Sequence, residues 1–230
     1  MTEDNTTTNV QLENGNPAFA KPVLCAGADF GGLISLYNED CLQALKRYDD
    51  NHFDIAIVDP PYGIGISSNP FRQKFEKCDW DNAIPNKQYF DELMRVSKNQ
   101  IIWGGNYFDL PPSQGFIIWD KKQPQDFSSA MCEMAWMSFQ KPAKIFRKHV
   151  VTAEPNKIHP TQKPVDLYKW LLTHYTNEND IVLDNTAGSF TTAIACLETN
   201  RKYIVMEKEK EYYNKGLKRI LEWEREQKTK

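Results

Sequence analysis

The apolar run at 54–59 (DIAIVD) ends in Asp59-Pro60-Pro61-Tyr62, followed by Gly63. Two successive prolines fix φ and carry no N–H, so the nearby carbonyls are left free to accept hydrogen bonds. A carboxylate beside such a rigid carbonyl forms a pair of acceptors suited to an –NH2 group, which has two donors. Tyr62 adds a flat face on which a planar heterocycle can stack. In open α/β sheets ligands bind outside the carboxyl ends of strands, where this tetrapeptide stands. The plainer alternative is a strand ending in a proline turn with Asp59 as a cap.

A second candidate is Asp184-Asn185-Thr186-Ala187-Gly188-Ser189-Phe190-Thr191-Thr192, between an apolar run and a helix-forming segment. A turn of this kind brings backbone N–H groups and a helix N-terminus to a small anionic ligand group. Glu207 follows Asp184 by 23 positions at the end of the next apolar run. An acidic residue about 20 positions on is a usual partner for ribose hydroxyls. Only Gly188 of a glycine-rich pattern is present, so an ordinary strand-to-helix turn explains this segment equally well when it is taken alone. The third candidate is His159-Pro160-Thr161-Gln162-Lys163-Pro164, just before an amphipathic segment. Lys163 could set a cation near a ligand carboxylate, and Thr161 and Gln162 could add hydrogen bonds. A helix entry flanked by surface polar residues is the plainer reading.

The elements that must position these residues follow from periodicity. Short apolar runs at 33–37, 54–59, 100–104, 115–120, 180–184 and 202–207 read as strands buried on both faces of a parallel sheet. Helices are expected over about 87–96, from Pro164 with Val165, Tyr168, Leu171, Leu172 and Tyr175 on one face, after Gly188, and through Tyr213, Leu217, Ile220 and Leu221. Such alternation predicts an α/β sandwich with a mostly parallel central sheet. The segment 131–148 reads as two antiparallel strands, a hairpin turning at Lys141-Pro142. Residues 1–21 are rich in Thr, Asn and Glu and read as a disordered tail, leaving 22–230 as a single domain.

The whole chain has 230 residues, a net charge of −3 and a mean hydropathy of −0.62, which fits a soluble globular protein and excludes one held to nucleic acid by global charge. No run approaches the ~18 apolar residues of a membrane span, and the N-terminus lacks the basic and apolar regions of a signal peptide. The five cysteines are scattered without CxxC or Cys/His spacing, so neither a disulfide framework nor a metal is expected, and a reducing cytoplasm is the expected compartment.

Together the three motifs resemble the S-adenosylmethionine-dependent amino DNA methyltransferases, in the permuted, beta-type class where DPPY precedes the cofactor loop. Here DPPY stands at 59–62, IHPTQKP at 158–164 and LDNTAGSFTT at 183–192, and ISLYNEDCLQALK at 34–46 resembles the family's entry segment. The likeness runs from about Leu33 to Tyr213. It implies a Rossmann-like sandwich and direct methyl transfer to the exocyclic amine of a flipped-out base, in a bacterial or phage-encoded enzyme with DNA as partner. Asp59 and the Pro60 carbonyl would accept from the amine, with Pro61 and Tyr62 completing the catalytic motif and Tyr62 stacking on the base. Asp40, Asp59, Thr161, Lys163, Asp184, Thr186, Gly188, Ser189, Phe190, Thr191 and Glu207 would hold the cofactor. No metal or cysteine nucleophile is implied.

Aspartate at the first motif position is typical of members that make N6-methyladenine, and serine is commoner in those that make N4-methylcytosine. The sequence departs from the family's Asp-Pro-Phe-x-Gly-Ser-Gly loop at Asn185, Thr186 and Phe190. The bulky Phe190 stands where the family's backbone lies against the cofactor, and either packs on the sheet or weakens binding. The likeness leaves no room for a separate target-recognition domain.

DNA binding would therefore use loops. Lys141, Lys144, Arg147, Lys148, Lys157 and Lys163 face only Glu154 across 141–163, and Arg72, Lys74 and Lys77 alternate with Phe71, Phe75 and Trp80 in the loop 63–82. Basic residues interleaved with aromatics suit a nucleic-acid strand, with salt-dependent binding. A solvated loop with tucked aromatics is the plainer reading. A homodimer or a very short target site would make up for the small recognition surface. Methylation of cytosine N4, adenine methylation of RNA, and a catalytically silent nucleic-acid-binding subunit are the competing functions. A dinucleotide-dependent oxidoreductase fits less well, since GxGxxG is missing.

Overall fold

The computed structural model describes residues 34–66, 79–126, 130–149 and 157–229. The expected tail at 1–21 and the loop residues Arg72, Lys74 and Lys77 lie outside the described residues.

Each apolar run forms the strand its composition demands. These are β1 (Ile34–Asn38), β2 (Ile55–Val58), β3 (Gln100–Trp103), β4 (Phe116–Asp120), β7 (Ile181–Asp184) and β8 (Lys202–Glu207), joined by β5 (Cys132–Met137) and β6 (Lys144–Arg147). They form one eight-stranded sheet in the order β1-β8-β7-β2-β3-β5-β4-β6. All the pairings are parallel except those of β5, which runs against both β3 and β4. This is the expected α/β sandwich.

The expected hairpin over 131–148 is not formed as such. β5 and β6 are not neighbours, because β4 inserts between them and pairs with both. Lys141-Pro142 therefore belongs to a crossover rather than a tight turn. Strand propensity marked both segments correctly, but the partner of each is set by tertiary packing that local pattern does not encode.

Among the described residues five α-helices cover the two faces: α1 (Cys41–Leu45), α2 (Lys87–Val96), α3 (Val165–Tyr175), α4 (Thr191–Glu198) and α5 (Lys210–Lys228). On one face Leu167, Leu171, Ala193 and Tyr213 pack with Ile55, Ile57 and Trp103. On the other Ala44, Tyr89 and Leu93 pack with Ala56, Val58 and Ile102. β2 and β3 are buried at every position, as strands covered on both faces must be. Pro164 caps α3 in extended conformation rather than opening its first turn, a shift of one residue from the expected start.

The connections out of β2 and β7 diverge. β2 leads through α2 to β3 on one side, and β7 leads through α4 to β8 on the other. Since β2 and β7 are adjacent, their carboxyl ends open a crevice where an α/β sheet binds ligands. Asp59 and Asp184 stand on its two lips.

Candidate active site

A cavity of about 390 Å³ fills that crevice, lined among others by Asp40, Asp59, Trp80, His159, Asp184 and Glu207. Pro61, Thr161, Thr186, Gly188, Ser189 and Thr191 also line it. The structure thus gathers most of the residues expected at a cofactor site around one volume, from segments more than a hundred positions apart.

Its acidic rim is built from strand ends. Asp40 caps α1 after β1, its Oδ1 accepting from the N–H groups of Leu42 at 3.1 Å and Gln43 at 3.4 Å. At the end of β8, Glu207 accepts from the N–H of Gly188 at 2.8 Å and of Glu209 at 2.7 Å, and burial pushes its carboxyl up. Asp184 accepts from the Thr186 N–H at 3.1 Å and from the Thr192 hydroxyl. Burial dominates there too, raising its carboxyl to about 7 because the charged form loses water.

The departures from the family's cofactor loop are put to structural use. Asn185 Oδ1 accepts from the Tyr89 hydroxyl at 2.8 Å, and Thr186 Oγ1 accepts from the Asp59 N–H at 2.9 Å. These bonds tie the loop to α2 and to the DPPY turn, a connection that proline and phenylalanine side chains could not make. Phe190 resolves the other way from its expected cofactor role. Its ring is fully buried, meets Tyr213 edge-on at 5.6 Å and lies over Gly216 of α5, where an added Cβ would come within 2.6 Å of it. The side chain belongs to the core. Its backbone, at φ +58°, bears the left-handed turn that starts α4.

Lys163 also differs from expectation. Its ammonium, 3% exposed, ion-pairs with Asp59 Oδ2 and lies 3.1 Å from Glu133 Oε2. It does not line the cavity and is not a surface charge able to reach phosphates. Burial works against that ammonium, but Asp59 and Glu133 hold it above its ordinary value. Glu133 is also pushed up by burial, yet Lys163 and Lys121 outweigh this and hold it down at about 2. For Asp59 burial prevails and the shift is upward.

The DPPY segment itself is held from several sides. The Tyr62 hydroxyl donates to Asp59 Oδ1 at 2.5 Å. Asp81, 1% exposed, accepts from the N–H groups of Tyr62 at 2.7 Å, Gly63 at 3.0 Å and Ile66 at 2.7 Å. Gly104, at φ +71°, leaves room for the Tyr62 ring, which an added Cβ would approach to 2.2 Å. One face of Tyr62 stacks on Tyr107 at 4.9 Å and 12°. Tyr107 is 43% exposed, so the stack opens to solvent.

Sequence reasoning missed Asp81, Glu133 and Tyr107. Trp80, expected among the loop aromatics that meet nucleic acid, instead lines the cavity and packs on His159 at 5.3 Å, while His159 meets Tyr212 at 4.3 Å. Of the expected DNA-binding residues, Lys144 and Arg147 lie on β6, an edge strand, and are exposed, as is Lys141. Arg147 is 3.4 Å from Asp120, and Lys148 ion-pairs with Asp166, so part of that basic edge is neutralised.

Known proteins resemble this chain in sequence and in fold. The family described as DNA methylase matches residues 118–218. The DNA adenine methyltransferase YhdJ of Escherichia coli strain K12 is 47% identical over 252 aligned positions, covering 85% of this chain and 86% of that one. The chain belongs to the amino DNA methyltransferases. Two solved structures share the fold of this methyltransferase: the M1.HpyAVI-SAM complex, at 23% identity with TM-score 0.54 over 81% of this chain and 98% of that one, and the cytosine-N4-specific PvuII DNA methyltransferase, at 15% identity with TM-score 0.53 over 80% and 84%.

The methyl donor of amino DNA methyltransferases is S-adenosylmethionine, and the cavity of this methyltransferase fits it. Five acidic side chains (Asp40, Asp59, Asp184, Glu207 and Glu209) line the volume against one lysine, Lys208, which suits a ligand that carries positive sulfonium and ammonium groups. Two buried donors on its wall, Asn185 Nδ2 and Trp80 Nε1, have no hydrogen-bond partner among the described residues. Buried donors of this kind call for an acceptor, which a polar ligand provides.

Proposed function

We propose that the chain methylates the N6 amino group of adenine in DNA, at a base flipped out of the duplex. The observation that carries this reading is the placement of Asp59. Its carboxylate lines the cavity, and the rigid Pro60 carbonyl follows it in the chain. An aspartate at the head of this motif favours adenine over cytosine, and the name of the 47%-identical relative, DNA adenine methyltransferase, supports the same choice. A shared fold with a cytosine-N4 enzyme keeps that base as the competing target.

S-adenosylmethionine, when bound, supplies a methyl group made electrophilic by its sulfonium. The residues we assign to hold it are Asp40, Thr161, Asp184, Thr186, Gly188, Ser189, Thr191 and Glu207, with Glu207 the partner for ribose hydroxyls. Phe190 contributes only its backbone turn.

Asp59 and the Pro60 carbonyl accept the two N–H groups of the target amine, which turns its lone pair toward the cavity. Positive charge developing on nitrogen is stabilised by fixed acceptors that need no reorganisation. Because burial raises Asp59, its carboxylate is also a fitting acceptor for the proton the amine must release. Tyr62 offers the base a ring, and Tyr107, stacked on it here, must yield that face or slide with it. Extruding the base costs a few kcal/mol of stacking and pairing.

Lys141, Lys144 and Arg147, together with Arg72, Lys74 and Lys77, are assigned to the DNA backbone. The test is incubation of the purified chain with labelled S-adenosylmethionine and DNA of mixed sequence, followed by digestion to nucleosides. Label in N6-methyladenine is the expected result; label in N4-methylcytosine would overturn the choice of base.

A further inference from the structure

Behind Asp59 lies a group of charges that the proposed transfer step does not by itself require. Lys163 sits between Asp59 and Glu133, paired with Oδ2 of the first and 3.1 Å from Oε2 of the second. The other Glu133 oxygen, Oε1, is 2.7 Å from Lys121 Nζ. The four residues come from four places in the chain: the end of β2, β5, the residue after β4, and the entry to α3. All meet at the carboxyl edge of the parallel strands, because β5 runs backwards and so brings its first residues to that edge.

Counting charges, two carboxylates face two ammoniums, and the group is neutral. The Trp103 and Tyr62 rings wall in the Lys163 ammonium at 5.1 and 5.9 Å, and little water reaches it. Other polar groups around Asp59 include the Tyr62 hydroxyl at 2.5 Å, the Thr186 hydroxyl on its N–H and, acting at longer range, Tyr89, Tyr168 and Asp184.

We infer that Glu133 is a positioning residue for methyl transfer: by sharing Lys163 with Asp59, it keeps that ammonium from turning wholly onto Asp59 and balances the charge behind the incoming amine. The inference rests on the reading of Asp59 given above. Without Glu133, Lys163 and Lys121 would oppose a single carboxylate, leaving a net positive charge beside a nitrogen that itself becomes positive. In a site poor in water such a charge is weakly screened. Lys163 would also have Asp59 as its one close carboxylate and would neutralise it more completely.

The sign of the pH effect follows from the same charges. Glu133, as a like charge, pushes Asp59 up. Its removal lets the lysines pull Asp59 down, so the acid limb of activity moves to lower pH even as the maximal rate falls. Removing Lys121 instead frees the full charge of Glu133, and the limb moves to higher pH.

The experiment measures kcat and the KM for S-adenosylmethionine against pH, on DNA, for the full chain and for Glu133→Gln, Glu133→Asp and Lys121→Met. Glu133→Gln is expected to lower kcat about tenfold, keep KM within about twofold and lower the acid limb, while Glu133→Asp recovers part of the rate. Lys121→Met is expected to shift the limb the opposite way. A Glu133→Gln chain with wild-type kcat, or one that loses rate with an unmoved limb, would overturn the inference. Should that variant not fold, an unmoved limb in Lys121→Met overturns it alone. An unsubstituted chain that transfers no methyl group would overturn the reading beneath it and this inference together.

Discussion

Asp81 Oδ1 accepts the backbone N–H of Tyr62 at 2.7 Å, so the turn that follows Pro60 and Pro61 is fixed by a carboxylate 19 positions away in the chain. The same side chain holds Gly63 and Ile66. Three N–H groups thus converge on one buried acid, and the position of Tyr62 relative to Asp59 depends on it.

Asp81→Ala is expected to strip those three donors of their acceptor, at about 1–3 kcal/mol for each that stays buried and unpaired. Asp81→Asn keeps one oxygen and falls between. Urea denaturation gives the stability loss, and methyl transfer measured on the folded fraction is expected to drop about tenfold or more. Full transfer by a destabilised Asp81→Ala chain would show that the turn does not need this anchor.

The core role of Phe190 yields a prediction at Gly216. Alanine normally favours a helix interior over glycine by about 1 kcal/mol, yet an added Cβ at Gly216 would come within 2.6 Å of the Phe190 ring. Gly216→Ala is therefore expected to destabilise the chain by about 1–3 kcal/mol. Combining it with Phe190→Leu should recover part of that loss. Thermal denaturation of the two single variants and the pair checks the coupling; additive effects would place the ring elsewhere.

Much of this architecture is legible in the sequence, and the rest is hidden for specific reasons. The DPPY strand end, the Gly188 turn and Glu207 carry their positions in local pattern, because each closes an apolar run. Lys163 reads as a cofactor ligand because nothing local shows that Glu133 will arrive from a reversed strand. Asp81 lies in a polar loop where no spacing sets it apart from neighbouring acids. Phe190 looks misplaced until Gly216, 26 positions on, is seen beneath it. The order of β4, β5 and β6 likewise depends on partners that the alternation of apolar residues does not name.

Asp184 makes stability depend on pH. Its carboxyl, held at about 7 in the fold against 3.8 ordinarily, keeps a proton that the unfolded chain has already released. Stability contributed by this group is therefore full below pH ~4, falls as pH rises toward ~7, and is level above that. Asp184→Asn removes the dependence. Relative to this variant, the unsubstituted chain is expected to lose up to about 4 kcal/mol across the window. Denaturant midpoints for both chains at several pH values measure the difference, and parallel profiles would contradict it.

The central claim, that Asp59 accepts from the target amine while other residues hold the cofactor, is tested most directly by Asp59→Ala assayed for two properties at once. Glu133 remains beside Lys163 in this variant, so the buried ammonium keeps a partner. Methyl transfer to DNA is expected to fall about 10³-fold or more, with S-adenosylmethionine affinity, measured by calorimetry, within a few-fold of the unsubstituted chain. Transfer near the original rate, or loss of transfer explained by loss of cofactor binding, would contradict the account.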